Sequence, residues 1–299
     1  TVVGLGLIGG SVGLAARRRG LARTVVGLSR REATIRRART RGAIDWGTTD
    51  PARAVRDADL VVLATPVDIL VPQALRLARV MRPGGLLTDT GSTKAAVVEA
   101  LDRRLPRMKS HGNARGAESR ATPHPARRVR GRRGIAFVGA HPVAGSEQRG
   151  LDAAQADLFD GSLCVMTPTA RTDLRALAAV ARFWTRLGMR VVTMSPARHD
   201  RLLAGGSHLP HLIAYALAGS IRPGLPRAPQ SFTDVTRIAR SEPDLWDDIF
   251  LSNRRPLLEA LVAFTRELER LGRAVASGDR ASLRRRLARA KARRDALET

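Results

Sequence analysis

The chain has 299 residues, 43% of them hydrophobic, so it is long enough for two domains and apolar enough to bury a core. No apolar run reaches the roughly 18 residues of a membrane span, and the start lacks the basic stretch of a secretory leader, so a cytoplasmic protein without membrane contact is expected. The single cysteine, Cys164, excludes an internal disulfide and a cysteine-held metal cluster. A net charge of +25 would suit a nucleic-acid binder. Against that, only 3% of residues are aromatic, which leaves few platforms for base stacking, and no zinc-finger or RNA-binding motif appears. No specific nucleic-acid partner is expected. The chain does not begin with Met, and its first strand is read as truncated.

In chain order, residues 1–3 read as the stump of an apolar strand, 9–19 as a helix, 24–28 as a second strand and 31–41 as a charged helix. Residues 60–64 (LVVLA) have the unbroken aliphatic pattern of a strand buried on both faces. A helix over 69–81 stops at Pro83-Gly84-Gly85, followed by a strand at 86–88 and a helix at 95–105. This alternation implies a parallel sheet with right-handed crossovers. Residues 107–133 interrupt it with nine basic residues, one acidic residue and no apolar periodicity, and read as a disordered surface insertion. Strands are expected at 135–138, 163–167 and 190–194, with a helix at 173–187 between the last two. Helices follow at 197–220, 243–252, 256–276 and 281–297. The third of these repeats Leu257, Leu261, Phe264, Leu268, Leu271 and Val275 at helical spacing for burial. The expectation is an α/β fold: an N-terminal Rossmann-type doubly wound parallel sheet over 1–180, then an all-helical C-terminal domain over 181–299.

The first chemical motif is Gly4-Leu5-Gly6-Leu7-Ile8-Gly9, which follows a strand and opens a helix, as the dinucleotide fingerprint requires. Gly4 permits the tight turn, Gly6 lets the backbone approach a pyrophosphate, and Gly9 lets the helix pack on the strand. The helix N-terminus, through Leu7 and Ile8, offers free N–H groups to the phosphates. An NAD site places an acid about twenty residues further on to bind the ribose 2′-hydroxyl. Here Ser29, Arg30 and Arg31 occupy that place, a combination that would hold a 2′-phosphate, so NADP is expected in preference to NAD. Arg30 and Arg31 could also simply open a solvated helix.

The remaining motifs form an ordered set. They are Ala64-Thr65-Pro66, Asp89-Thr90-Gly91-Ser92-Thr93-Lys94, Gly139-Ala140-His141-Pro142-Val143-Ala144-Gly145-Ser146-Glu147, Ser207-His208-Leu209-Pro210-His211 and Phe232-Thr233-Asp234-Val235-Thr236-Arg237-Ile238-Ala239, with Trp246 beyond. This set resembles the prephenate and arogenate dehydrogenases of tyrosine biosynthesis. The likeness covers nearly the whole chain apart from the basic insertion.

The resemblance implies a small-molecule substrate, prephenate or arogenate, that is oxidatively decarboxylated with hydride transfer to NADP or NAD. It implies that His141 is the catalytic base, a role suited to an imidazole that can accept a proton near neutral pH. Ser92 matches a serine that bonds the reacting hydroxyl and orients the histidine, although Ser92 or Thr93 could equally cap the following helix. Thr65 and Pro66 match the passage of the cofactor ribose. His208 and His211, three apart on one helical face, are placed in the substrate pocket. They need no metal, since hydride transfer requires none and no Glu completes a metal motif. The histidine at 211 inclines the reading to prephenate. Arg237 matches the arginine that holds a substrate carboxylate, Asp200 an acid paired with that arginine, and Glu147 an acid at the pocket mouth. Trp246 is read as packing around the pocket, and Arg222, Arg227 and Arg240 as surface. A homodimer through the helical half is expected, with no feedback domain beyond it.

Two other readings compete. A β-hydroxyacid or imine dehydrogenase would need a lysine in the helical half, which has none before Lys291 in the charged tail. A basic nucleic-acid-binding protein with a relic dinucleotide domain would have no reason to keep His141, Ser92 and Arg237 together.

Overall fold

The computed structural model describes residues 1–105, 134–145, 148, 150–220 and 228–297. The 107–133 insertion, Glu147, Arg222 and Arg227 lie outside the described residues.

The first half is a six-stranded sheet in the order β3-β2-β1-β4-β5-β6, parallel throughout. Strand β1 (Val2–Val3) leads into helix α1 (Leu7–Arg18), and β2 (Val26–Leu28) into α2 (Glu32–Thr40). Strand β3 (Trp46–Thr48) and helix α3 (Pro51–Val55) complete one edge. Strand β4 (Leu60–Leu63) is followed by α4 (Val67–Ala78), and β5 (Leu86–Asp89) by α5 (Ala95–Arg104). Strand β6 (Ala136–Val138) closes the far edge. Val61, Val62 and Leu63 are buried, because helices cover both faces of the sheet there. The order reverses between β1 and β4, which opens a crevice at the carboxyl ends of those two strands.

A second sheet of three strands follows in the order β7-β8-β9. It comprises β7 (Ala140–Val143), antiparallel to β8 (Leu163–Met166), and β9 (Arg190–Thr193), parallel to β8 and joined to it by α6 (Leu174–Arg186). Beyond Thr193 the described chain is helical: α7 (Pro196–Leu203), α8 (Leu209–Ser220), α9 (Gln230–Thr236), α10 (Pro243–Ser252), α11 (Arg254–Ala276) and α12 (Arg280–Asp295). Among the described residues no helix is long and apolar enough to cross a membrane.

Three sequence expectations are modified. The single helix expected over 197–220 is broken by a π-helical turn at Ala204–His208. Pro210 has no N–H to give to Gly206, and the wider turn absorbs the lost bond just before it. His141 stands in a strand, β7, which the run of Pro and Gly around it concealed. The apolar stripe of α11 is only partly covered in a single chain, with Leu257 buried but Leu268 and Val275 exposed.

The fingerprint glycines are required by contact. Gly4 has φ +88°, and a side chain there would meet the backbone carbonyl of Ala64 and the methyl of Thr65. A methyl group on Gly9 would collide with the carbonyl oxygen of Gly4, which locks α1 against the turn. Gly9→Ala is therefore expected to destabilise the fold by about 1–3 kcal/mol, the usual range for overpacking. A denaturation midpoint equal to the parent's would contradict this close approach.

Candidate active site

The site lies where the carboxyl edge of the sheet meets the helical half, and carboxylates make the junction. Asp200, on α7, accepts hydrogen bonds from the N–H groups of Lys94 (2.8 Å) and Ala95 (2.8 Å) and so caps α5. Asp248, on α10, does the same for α4 through Val67 N (2.8 Å) and Asp68 N (3.2 Å). Thr93 Oγ1 donates to Ser252 Oγ (3.1 Å) between them. Neither Ser92 nor Thr93 caps α5, because a carboxylate from across the junction fills that role. Asp200 was expected to pair with Arg237. Its carboxylate is instead engaged by α5 and by His199, whose Nδ1 lies 2.8 Å from Asp200 Oδ1.

His141 is held from two sides. Asp89, at the end of β5, accepts from Ala140 N (3.1 Å) and from Gly91 N (2.9 Å), and it pairs with the fully buried Lys94 ammonium. This fixes the start of β7 against the 90–94 loop. His141 Nδ1 then meets His199 Nε2 at 2.9 Å. Burial, the largest cause, pushes the His141 pKa well below its usual value, so the ring is neutral and able to accept a proton. Burial alone would raise the Asp200 pKa. The His199 hydrogen bond and the N–H groups of Ala95 and Lys94 outweigh it and hold the carboxyl below its ordinary range. His199 carries no family motif in the sequence. Its only signal was adjacency to Asp200.

A second histidine cluster adjoins the first. His208 is buried, with Nδ1 3.0 Å from Asn253 Nδ2, the same amide nitrogen that donates to the carbonyl of Asp200 at 2.8 Å. An amide N–H can only donate, so Nδ1 is the acceptor and the proton of neutral His208 sits on Nε2, which has no partner among the described residues. His211 bonds the carbonyl of Ser207 (3.0 Å) through Nδ1 and stacks on Trp246 with centroids 3.5 Å apart. Trp246 also meets the edge of His208. Burial lowers the His211 pKa, as does the charge of Arg237, which stands exposed at the end of α9. Ser92 is half-buried on the 90–94 loop, and its hydroxyl has no hydrogen-bond partner among the described residues. Cys164 lies beneath β7 with its pKa pushed up to about 12 by burial, which leaves the thiol protonated and inert.

The other end of the crevice fits a dinucleotide. Gly6 caps α1 without any side-chain hydrogen bond, the first turn of α1 keeps its free N–H groups, and the space over Gly6 is open. Thr65 and Pro66, after β4, lie beside this turn, with the Thr65 methyl against Gly4 and its hydroxyl bonded to Gln73 (2.7 Å). Ser29, Arg30 and Arg31 follow β2, the strand next to β1. Ser29 Oγ accepts from Arg31 N at 3.3 Å, and both arginines are exposed.

A doubly wound sheet with a glycine turn at its switch point and a helix N-terminus left without a side-chain cap is the fold of a nicotinamide-dependent dehydrogenase. The nucleotide-binding domain of prephenate dehydrogenase matches residues 12–112 and 123–193, and the dimerization domain of prephenate dehydrogenase matches 195–289. A cyclohexadienyl dehydrogenase of Zymomonas mobilis is 36% identical over 286 residues, covering 93% of this chain and 88% of that protein. A prephenate dehydrogenase of Bacillus subtilis is 31% identical over 308 residues, covering 99% and 75%. Prephenate dehydrogenase from Aquifex aeolicus, solved with hydroxyphenyl propionate and NAD+, has a TM-score of 0.84 at 30% identity and covers 99% of this chain and 96% of that one. Arogenate dehydrogenase of Synechocystis gives 0.77 at 28% identity, covering 99% and 98%. The chain belongs to the prephenate dehydrogenase family and is an NAD(P)-dependent oxidoreductase.

The pKa of His208 is lowered to about 4, first by burial. Its unfolded value is near 6.5, so between these limits the unfolded chain takes up a proton that the folded chain refuses. Stability should therefore fall as pH drops from about 6.5 towards 4. His208→Asn should flatten that decline in urea midpoints, and an unchanged slope would show that His208 is not buried in its neutral form.

Proposed function

We propose that the chain oxidises prephenate to 4-hydroxyphenylpyruvate with release of carbon dioxide, using NADP in preference to NAD. The observation that carries this reading is the buried neutral His141, held 2.9 Å from His199 beside the end of β5 with His208 close by. Arogenate, which would give tyrosine directly, is the alternative substrate, and the Synechocystis neighbour keeps it in view.

His141 accepts the hydroxyl proton of the cyclohexadienol as hydride leaves the same carbon. The bound nicotinamide supplies the hydride acceptor. The ring carboxylate then departs as carbon dioxide, its bonding electrons complete the aromatic ring, and the proton returns from His141 to the phenolic oxygen. Ser92 hydrogen-bonds the reacting hydroxyl. His208 offers its Nε2–H to the substrate, and His211, stacked on Trp246, forms the pocket wall. Arg237 holds the side-chain carboxylate of the substrate in a guanidinium fork. Asp200 acts on the site through His199 and α5. Gly4, Gly6, Leu7, Ile8 and Gly9 hold the pyrophosphate, Thr65 and Pro66 line the ribose passage, and Ser29, Arg30 and Arg31 hold a 2′-phosphate. The match to a dimerization domain and the exposed apolar residues of α11 support a homodimer, and the whole is assigned to the cytoplasm.

The test is formation of reduced nicotinamide from prephenate or arogenate with NADP or NAD, in all four pairings. The prephenate–NADP pair should give the highest kcat/KM, and silence in all four from folded protein would refute the reading. His141→Asn should lower kcat about 10²–10⁴-fold with cofactor affinity retained. Arg237→Gln should chiefly raise the KM for substrate, and an unchanged KM would remove it from the carboxylate role. Replacing Arg30 and Arg31 with alanine should raise the KM for NADP and leave that for NAD nearly unaltered.

A further inference from the structure

Three side chains from two halves of the fold stand in line: Asp200, His199 and His141. The Oδ1 of Asp200 lies 2.8 Å from His199 Nδ1, and His199 Nε2 lies 2.9 Å from His141 Nδ1. His199 is fully buried and Asp200 nearly so. The carboxylate is itself pinned by two backbone N–H groups at the start of α5, so it cannot swing away from the ring.

Donor and acceptor roles follow along the line. An ionised carboxylate only accepts, so His199 carries its proton on Nδ1. With its ring proton on Nδ1, His199 presents Nε2 to the partner at 2.9 Å as an acceptor, and that partner donates. We infer that Asp200 and His199 hold His141 as its Nδ1–H tautomer and leave the Nε2 lone pair free to take the substrate proton. His199 is thus a positioning residue for the proton transfer. The opposite arrangement, with a proton on His199 Nε2, would force His141 to accept at Nδ1 and carry its proton on Nε2, where a base is needed.

The same line serves the charged state. When His141 gains a proton at Nε2, its Nδ1–H stays on His199, and the carboxylate of Asp200 faces the far edge of that ring. The other groups around the pair are Lys94 and Asp89 from the β5–α5 loop, His208 from the π-helical turn and Cys164 from β8. Lys94 is neutralised by Asp89, and the thiol stays protonated. Among the described residues, Asp200 is therefore the group set to offset a positive charge on the histidines.

This inference deepens the reading of His141 as the base, and its first test does not depend on that reading. Long-range proton–nitrogen correlation spectra of the uniformly ¹⁵N-labelled parent protein, without substrate and near neutral pH, report which ring nitrogens carry protons. Nδ1–H on both His141 and His199 is expected, and Nε2–H on either ring would overturn the relay whether or not the protein oxidises prephenate. The kinetic arm uses His199→Leu and His199→Gln. The leucine variant removes the acceptor and should lower kcat about a hundredfold, with substrate KM and cofactor affinity nearly unchanged. The glutamine variant places a carbonyl oxygen near the lost Nε2 and should recover most of that rate. Equal activity in both variants, or losses expressed only in KM, would reduce His199 to a packing residue. If the leucine variant does not fold, the spectra of the parent protein still decide.

Discussion

The carboxylate of Asp200 ties the two halves of the molecule together and reaches His141 through His199. One oxygen accepts from Lys94 N and faces His199, and the other accepts from Ala95 N. A carboxylate at a helix N-terminus is favoured by the free N–H groups and by the positive end of the helix dipole. Here that ordinary stabilisation also sets the height and tilt of His199, and through it of His141. Seating of the helical half and orientation of His141 are therefore linked through Asp200 and His199.

All strands of the large sheet run the same way, so the helices that follow β1, β4 and β5 start at the same edge. Two of these N-termini are occupied by the protein's own acids, α4 by Asp248 and α5 by Asp200. The third, α1, begins at Gly6 with no capping side chain. Of these three N-termini only that of α1 is free of a protein carboxylate, and it is the one that adjoins the glycine turn at the switch point. Burial raises the pKa of Asp248, so its cap is the weaker of the two towards acid.

The interior of the site is close to neutral although the chain carries a net charge of +25. Lys94 is paired with Asp89, and burial keeps His208 and His141 neutral. Among the described residues, the basic helix α12 lies on a solvated face and buries no residue. Surface arginines of this kind change colloidal and salt behaviour more than fold.

Much of the architecture was legible in the chain itself. The glycine turn between a strand and a helix, the aliphatic run at β4 and the 3.6-residue spacing of the later helices each reflect local rules of sterics and burial. They therefore specify the doubly wound sheet and the helical second half without further information. The motifs around His141, His208 and Arg237 marked the family for the same reason, since each is a short contiguous string. Short elements such as β3 and α3 were missed because three to five residues carry too little periodicity. What the sequence could not express is partnership across distance. Asp200 looked like a partner for Arg237, and His199 had no motif. Only when α7 packs against the start of α5 does that acid meet its helix and that histidine meet His141, 58 positions away in the chain. Hydrogen-bond geometry depends on where backbones cross in space, and that crossing is decided by the packing of the whole fold rather than by neighbours in sequence.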